Sequence, residues 1–238
     1  MKYCHLGDSN LKVSALCLDT MMFGDQTDHD EAATIVADAH AHGVNFIDSA
    51  DVYSKGGSES MLGALLKAQR HDWVLATKLG NRMPEVEVLP ACAHYGIGVA
   101  PYSPIARGVL TGKYLPDQKP EPSSRAGRAN KRLAQTEFRA ESLVIAQQLK
   151  VHAEARGISL AQFATAWVLA NPVVSSVIAG PRTLKQWQDY RPALDYVLTP
   201  EDEALVDSVV KPGHPSTPGY TDPVYPINGR VRGHTAAG

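Results

Sequence analysis

The chain has 238 residues, 44% of them hydrophobic and 20% charged, with a formal net charge of −2. That balance suits a soluble globular protein with a sizeable core and forces no basic face, which argues against a general nucleic-acid binder. No run of about 18 apolar residues is present to cross a membrane, and the N-terminus lacks the apolar stretch of a signal peptide.

Cys4, Cys17 and Cys92 are three widely spaced cysteines, which predicts reduced thiols in a cytoplasmic protein rather than a disulfide framework. Residues 2–14 read as a short hairpin around Gly7-Asp8-Ser9-Asn10, followed by a buried strand over 15–19. A helix is expected over 29–42, with Asp28 at its start and Gly43 at its end. Val44 to Ile47 form the next strand, then come a helix over 58–68 and a strand over 73–77. Pro84 opens a helical pattern running to about His94, and a further strand covers 97–102. The Pro- and Gly-rich stretch 114–131 reads as a long mobile loop. Helices follow at 137–156 and 159–170, then a strand over 173–178, helices at 183–190 and 200–210, and an irregular tail from Pro212. Short alternating β and α units of this kind predict a parallel sheet, here with five core strands.

Function on such a scaffold gathers at the carboxyl ends of the strands. Asp48 and Tyr53 follow the second core strand and Lys78 ends the third. A lysine ammonium beside a tyrosine favours the phenolate, and an aspartate behind it keeps the ammonium charged. The tyrosine can then give a proton to a carbonyl oxygen. Singly, each residue has an ordinary explanation: a loop or cap acid, a rim aromatic, a surface lysine. Three of them at consecutive strand ends favour the site. His40 and His42 flank a helix end with no third ligand nearby, so no metal site is expected.

The stretch Asn45-Phe46-Ile47-Asp48-Ser49-Ala50-Asp51-Val52-Tyr53, with Gly57-Ser58-Glu59, Leu62-Gly63 and Ala76-Thr77-Lys78, resembles the signature of the aldo/keto reductase family. Tyr102-Ser103-Pro104-Ile105-Ala106-Arg107-Gly108-Val109-Leu110-Thr111-Gly112-Lys113-Tyr114 resembles that family's cofactor loop after barrel strand seven. Ile178-Ala179-Gly180-Pro181-Arg182, with Gln186 and Asp189, resembles its adenosine-phosphate site after strand eight. The resemblance implies NADPH-dependent reduction of an aldehyde or ketone, with Tyr53 as proton donor tuned by Lys78 and Asp48. It implies cofactor contacts from Thr20, Met21, Tyr102, Ser103, Pro104, Ile105, Arg107, Gly108, Gly180, Arg182, Gln186 and Asp189. Tyr102 would stack on the nicotinamide and Arg182 would meet a 2′-phosphate. Tyr220 and Tyr225 are expected at the pocket mouth.

The same resemblance shows a departure. The family's eight-stranded barrel loses about strands four to six here, roughly a hundred residues, between Gly80 and Pro84. With them go its catalytic histidine and the residues that grip the nicotinamide carboxamide; His94, on a helix, is no substitute. Asp19 stands where the family usually has glycine beside the nicotinamide, adding bulk and charge there or turning away to cap a loop. The expected fold is a single domain, an incomplete or distorted TIM-barrel derivative. Residues 1–80 resemble the barrel's first part, 84–211 its last, and 212–238 form the tail. Its sheet edges would stay open, pair with each other, or pair with a second chain in a homo-oligomer. The functional expectations are a carbonyl reductase weakened by the lost histidine, a non-catalytic NADP(H)-binding or assembly protein, and a deletion product without a stable fold.

Overall fold

A computed structural model describes residues 1–50, 53–78, 89, 92–93, 98–212 and 214–223. The Asn81-Arg82-Met83 junction, His94, Tyr225 and most of the predicted helix over 84–94 lie outside the described residues; Leu89, Cys92 and Ala93, the described part of that helix, are helical.

The chain begins with the expected hairpin, β1 (Tyr3–His5) against β2 (Lys12–Ser14), antiparallel with Tyr3 opposite Ser14. Asn45 ties it to the sheet. Its Oδ1 accepts from the Ser14 N–H at 2.8 Å, and its Nδ2 donates to the Lys12 carbonyl at 2.9 Å. The sheet itself is parallel and holds β3 (Leu16–Asp19), β4 (Phe46–Asp48), β5 (Val74–Ala76) and β6 (Val177–Ala179) in the order β5-β4-β3-β6. The last strand lies beside the first core strand, as in a barrel wall, but among the described residues the sheet is open.

Five core strands were expected; among the described residues four form, and residues 98–102 take the fifth place through single bridges, Val99 to Val174 and Tyr102 to Ile178. Pro101 has no N–H for a ladder, although its carbonyl still accepts from Ile178 at 2.9 Å. Gly98 is pressed so closely on the hairpin turn that a Cβ would come within 2.2 Å of the Gly7 nitrogen.

Strand alternation sorts the side chains onto two faces. Leu16, Leu18, Ile47, Val177 and Ala179 face outward into a buried core with Phe23, Ile35 and Trp187. Cys17, Phe46 and Ile178 face inward, over Val13 of the hairpin. The same inward column continues to Asp19 and Asp48, which stand side by side in register at the strand ends.

Capping sets the helix starts. In α1 (His29–Ala41), Asp28 Oδ1 accepts from the Glu31 N–H at 3.0 Å, and Gly43 at φ +78° ends the turn. α2 is Gly57–Leu65. The helix expected over 137–156 is α4 (Ala140–Ala155); a break separates it from a short α3 (Lys131–Thr136), capped by Asn130, for which no helix was expected. The break lets Phe138 meet Tyr114 edge-on at 5.3 Å, in a second core built from Leu133, Leu143, Leu149, Leu160 and Phe163. α5 (Leu160–Leu169) starts at a Ser159/Gln162 capping box, α6 (Leu184–Tyr190) at Thr183, and α7 (Pro200–Val209) at a Thr199/Asp202 capping box. The described tail residues, 212 and 214–223, are irregular but anchored. Arg132 pairs with Asp222, and Tyr220 lies 3.9 Å from the Arg139 guanidinium while its hydroxyl donates to the Gln135 carbonyl.

Candidate active site

The carboxyl ends of β4 and β5 bring the predicted trio together. Lys78, two residues beyond β5, is the hub. Its Nζ donates to Asp48 Oδ2, to the Ser49 carbonyl at 3.0 Å and to the Tyr53 hydroxyl oxygen at 2.9 Å. Tyr53 is held by a tight turn in which Ser54, Lys55 and Gly56 all have positive φ, pinned where Ser54 Oγ donates to the Phe23 carbonyl at 2.8 Å. Beneath the trio, Ser58 Oγ bonds Thr20 Oγ1 at 2.8 Å and fixes the α2 N-terminus under β3.

Electrostatics divide the labour. Burial pulls the Lys78 ammonium down, but its hydrogen bonds to Asp48 and Tyr53 and the Asp48 charge outweigh that and hold it above its usual pKa. Burial raises the Asp48 carboxyl, with Lys78 opposing. Tyr53 departs from expectation. Burial, then the nearby Asp19 charge, outweigh Lys78, so the phenol holds its proton more firmly than a free tyrosine does. At neutral pH it is a donor, not a phenolate.

Next to the trio lies a cavity of about 160 Å³. It gathers ten of the twelve residues expected at a cofactor: Met21, Ser103, Pro104, Ile105, Arg107, Gly108, Gly180, Arg182, Gln186 and Asp189. The loop of Ser103 to Gly108 reaches it through positive φ at Ser103, Ala106, Arg107 and Gly108. Gln186 Oε1 accepts from the Arg182 N–H at 2.8 Å, which holds the α6 entry. The other two residues stand elsewhere. Thr20 is fully buried, its hydroxyl donating to the Asp48 carbonyl at 3.0 Å. Tyr102 is 63% exposed and lines a neighbouring apolar cavity with Trp167 and Phe163. Tyr220 does not line the cationic cavity either.

Lys113, Arg125 and Arg128 also line the cavity. Arg125 and Arg128 come from the stretch read as a mobile loop. That loop is folded back on itself, with Gly127 so close to Glu121 that a Cβ would meet its carbonyl oxygen at 2.0 Å, and with the Ala126 N–H donating to the Tyr114 hydroxyl at 3.3 Å. Burial, then repulsion from Arg107 and from Arg182 and Arg128, lowers the Arg125 pKa. Arg107 Nε is buried with no partner among the described residues. The arrangement suits an anion bearing several oxygens.

Asp19 joins the two parts. It is 9% exposed, it lines the cavity, and its Oδ1 accepts from the Met21 N–H at 3.0 Å. It therefore caps its loop and still faces the site. Burial, aided by Asp48, pushes its pKa up to about 6.

The sequence model of the Aldo/keto reductase family matches residues 15–87 and 79–211. The chain belongs to the aldo/keto reductase family. Family membership sets the chain among oxidoreductases. The two matched stretches overlap at residues 79–87, where the junction was expected. A probable voltage-gated potassium channel subunit beta from Arabidopsis thaliana is 27% identical over 326 positions, covering 91% of this chain and 99% of that protein. Since 91% of 238 residues fills only about 217 of the 326 positions, about 110 positions of the relative face a gap. The chain is thus a shortened member. An uncharacterized oxidoreductase, YrpG, from Bacillus subtilis (strain 168) is 26% identical over 326 positions, covering 88% of this chain and 96% of that protein. The glycerol dehydrogenase AKR11B4 of Gluconobacter oxydans superposes with a TM-score of 0.71 at 19% identity, over 92% of this chain and 98% of that one, which shows the barrel-derived fold. Among the described residues, no helix is long and apolar enough to cross a membrane.

Proposed function

We propose that the chain reduces an aldehyde or ketone to an alcohol with NADPH, Tyr53 giving the proton. The observation that carries this is Lys78 Nζ, which bridges Asp48 and the Tyr53 hydroxyl at the strand ends, beside the cationic cavity. Arg107, Arg125, Arg128 and Arg182 fit the phosphates of NADPH, and Arg107, which lines the cavity, has a buried Nε with no partner among the described residues. When bound, the reduced nicotinamide supplies the hydride. The Tyr53 hydroxyl would release its proton to the carbonyl oxygen as negative charge develops there. Lys78, held cationic by Asp48, would stabilise the phenolate left behind. The family resemblance leaves no counterpart of the catalytic histidine, so a slow enzyme is expected.

The test is consumption of NADPH with a reactive aldehyde, followed by absorbance. Tyr53→Phe removes the donor and should lower the rate at least about 100-fold; an unchanged rate would overturn the assignment. A second reading, an NADP(H)-binding assembly protein, is favoured by the potassium channel beta subunits among the relatives, from Arabidopsis thaliana and Oryza sativa subsp. japonica. Cofactor binding without turnover would support that reading instead.

A further inference from the structure

A cofactor that reaches from the arginines to Tyr53 passes one side chain that has no part in the chemistry so far. Asp19 ends β3 on the inward face, in register with Asp48, and lines the cationic cavity. Its Oδ1 is taken by the Met21 N–H, while its Oδ2 faces Gly180, where a Cβ would come within 2.7 Å of it. Its charge also reaches Tyr53, the end at which reduction occurs. The arginines mark the phosphate end of the path and Tyr53 the hydride end. Asp19 lies between them, in register with Asp48 on one side and with its Oδ2 toward Gly180 on the other, at the position that the family resemblance sets beside the nicotinamide.

We propose that Asp19 makes the site prefer the oxidised cofactor over the reduced one. The oxidised nicotinamide ring is a cation and the reduced ring is neutral, so only the oxidised form is attracted by a carboxylate at this position. Burial amplifies the attraction relative to water. Binding the two forms unequally shifts the bound redox couple toward the oxidised side, which favours hydride delivery to the carbonyl and slows release of the spent cofactor. This rests on the NADPH reading above.

The carboxylate has to be ionised to act. Burial raises its pKa to about 6, Asp48 raises it further within that figure, and Lys78 and Arg125 oppose. Cys17 of its own strand, Tyr53 and, from α6, Tyr190 are the other titratable groups coupled to it. The preference is therefore full at pH 8 and fades below pH 6.

The test is the ratio of the Kd for oxidised to that for reduced NADP, measured by titration calorimetry on the full chain. Asp19→Asn keeps an oxygen for the Met21 N–H and removes the charge. At pH 8 the ratio should rise about tenfold in Asp19→Asn, equal to about 1.4 kcal/mol. In the wild-type chain, with no variant needed, it should rise in the same sense between pH 8 and pH 5. The cofactor's own phosphate titrates near pH 6 as well, but both forms carry it, so it cancels in the ratio. An equal ratio in wild type and Asp19→Asn at pH 8, with both forms bound, overturns this inference alone. Binding of neither form by the wild type overturns the proposed function and this inference together.

Discussion

Asp202, in the outer helical layer, and Asp19, at the strand ends, are both buried aspartates in opposite circumstances. Asp202 is fully buried yet saturated. Oδ1 meets His152 Nε2 at 2.6 Å, while Oδ2 accepts from the Tyr196 hydroxyl and the Thr199 N–H, each at 2.8 Å. Arg156 Nε stands 3.7 Å away. Burial alone would raise its pKa, but these hydrogen bonds outweigh it and hold the carboxyl down at about 2. Asp19 has one N–H donor and another carboxylate for a neighbour, and its pKa goes up to about 6. One burial is compensated within the fold and stabilises it. The other faces the cavity with one N–H donor and no close ion pair among the described residues, as a carboxylate that can still take a cation would.

The comparison predicts its largest effect at Asp202. Asp202→Ala strips α7 of its capping box, and it leaves His152, Tyr196 and the Thr199 N–H without their acceptor. It should cost about 3 kcal/mol of unfolding free energy in a urea titration near pH 7. A cost within about 0.5 kcal/mol, as for an ordinary surface change, would break the contrast between the two aspartates. Activity per folded molecule should stay unchanged, because α7 takes no part in the cationic cavity.

Much of this was legible locally. Asp48, Tyr53 and Lys78 sit at or just beyond the ends of neighbouring parallel strands, and strand pairing alone brings such ends together. Asp202 was legible only as the acidic third residue of a helix entered through Thr199. Its partner His152 is 50 residues away on α4, and no local pattern announces that pairing. Arg125 and Arg128 were missed for a related reason. Their segment has loop composition, and what aims it at the cavity is a fold-back through Gly127 and the Tyr114 hydroxyl, a tertiary contact. The start of α4 at Ala140 rather than at 137 likewise goes with a tertiary contact, Phe138 against Tyr114, that no local pattern announces. Tyr53 stands beside Lys78 and keeps its proton, but the direction of its pKa shift is the reverse of the one expected. A lysine beside a tyrosine predicts a lowered pKa, and only burial depth and the orientation of Asp19 reverse the sign.

Asp19→Asn should act oppositely to Asp202→Ala, and less strongly. Removing an under-compensated buried charge should raise stability at pH 8 by about 1–2 kcal/mol, some of it offset by the polarity of the new amide. A loss of stability would mean that Asp19 serves the fold, and the contrast would fail.

The pH dependence of stability separates the two residues with the sharpest signature. Asp19 has a folded pKa near 6, above the value of 3.8 that an unperturbed aspartate would have. Between those values the folded state holds a proton that the unfolded state has released, so this contribution is full below about pH 3.8 and is lost as pH rises through 6. Asp202 has its folded pKa at about 2, below 3.8, so its contribution is present above that range and is lost as pH falls toward 2. In wild type minus Asp19→Asn, unfolding free energy measured by urea should therefore decline from pH 4 to pH 6 by about 1 kcal/mol per unit or less, and be flat above pH 7. A flat difference between pH 4 and 6 would show Asp19 ionised throughout, as well compensated as Asp202, and its carboxylate would then no longer be held in wait for a cation.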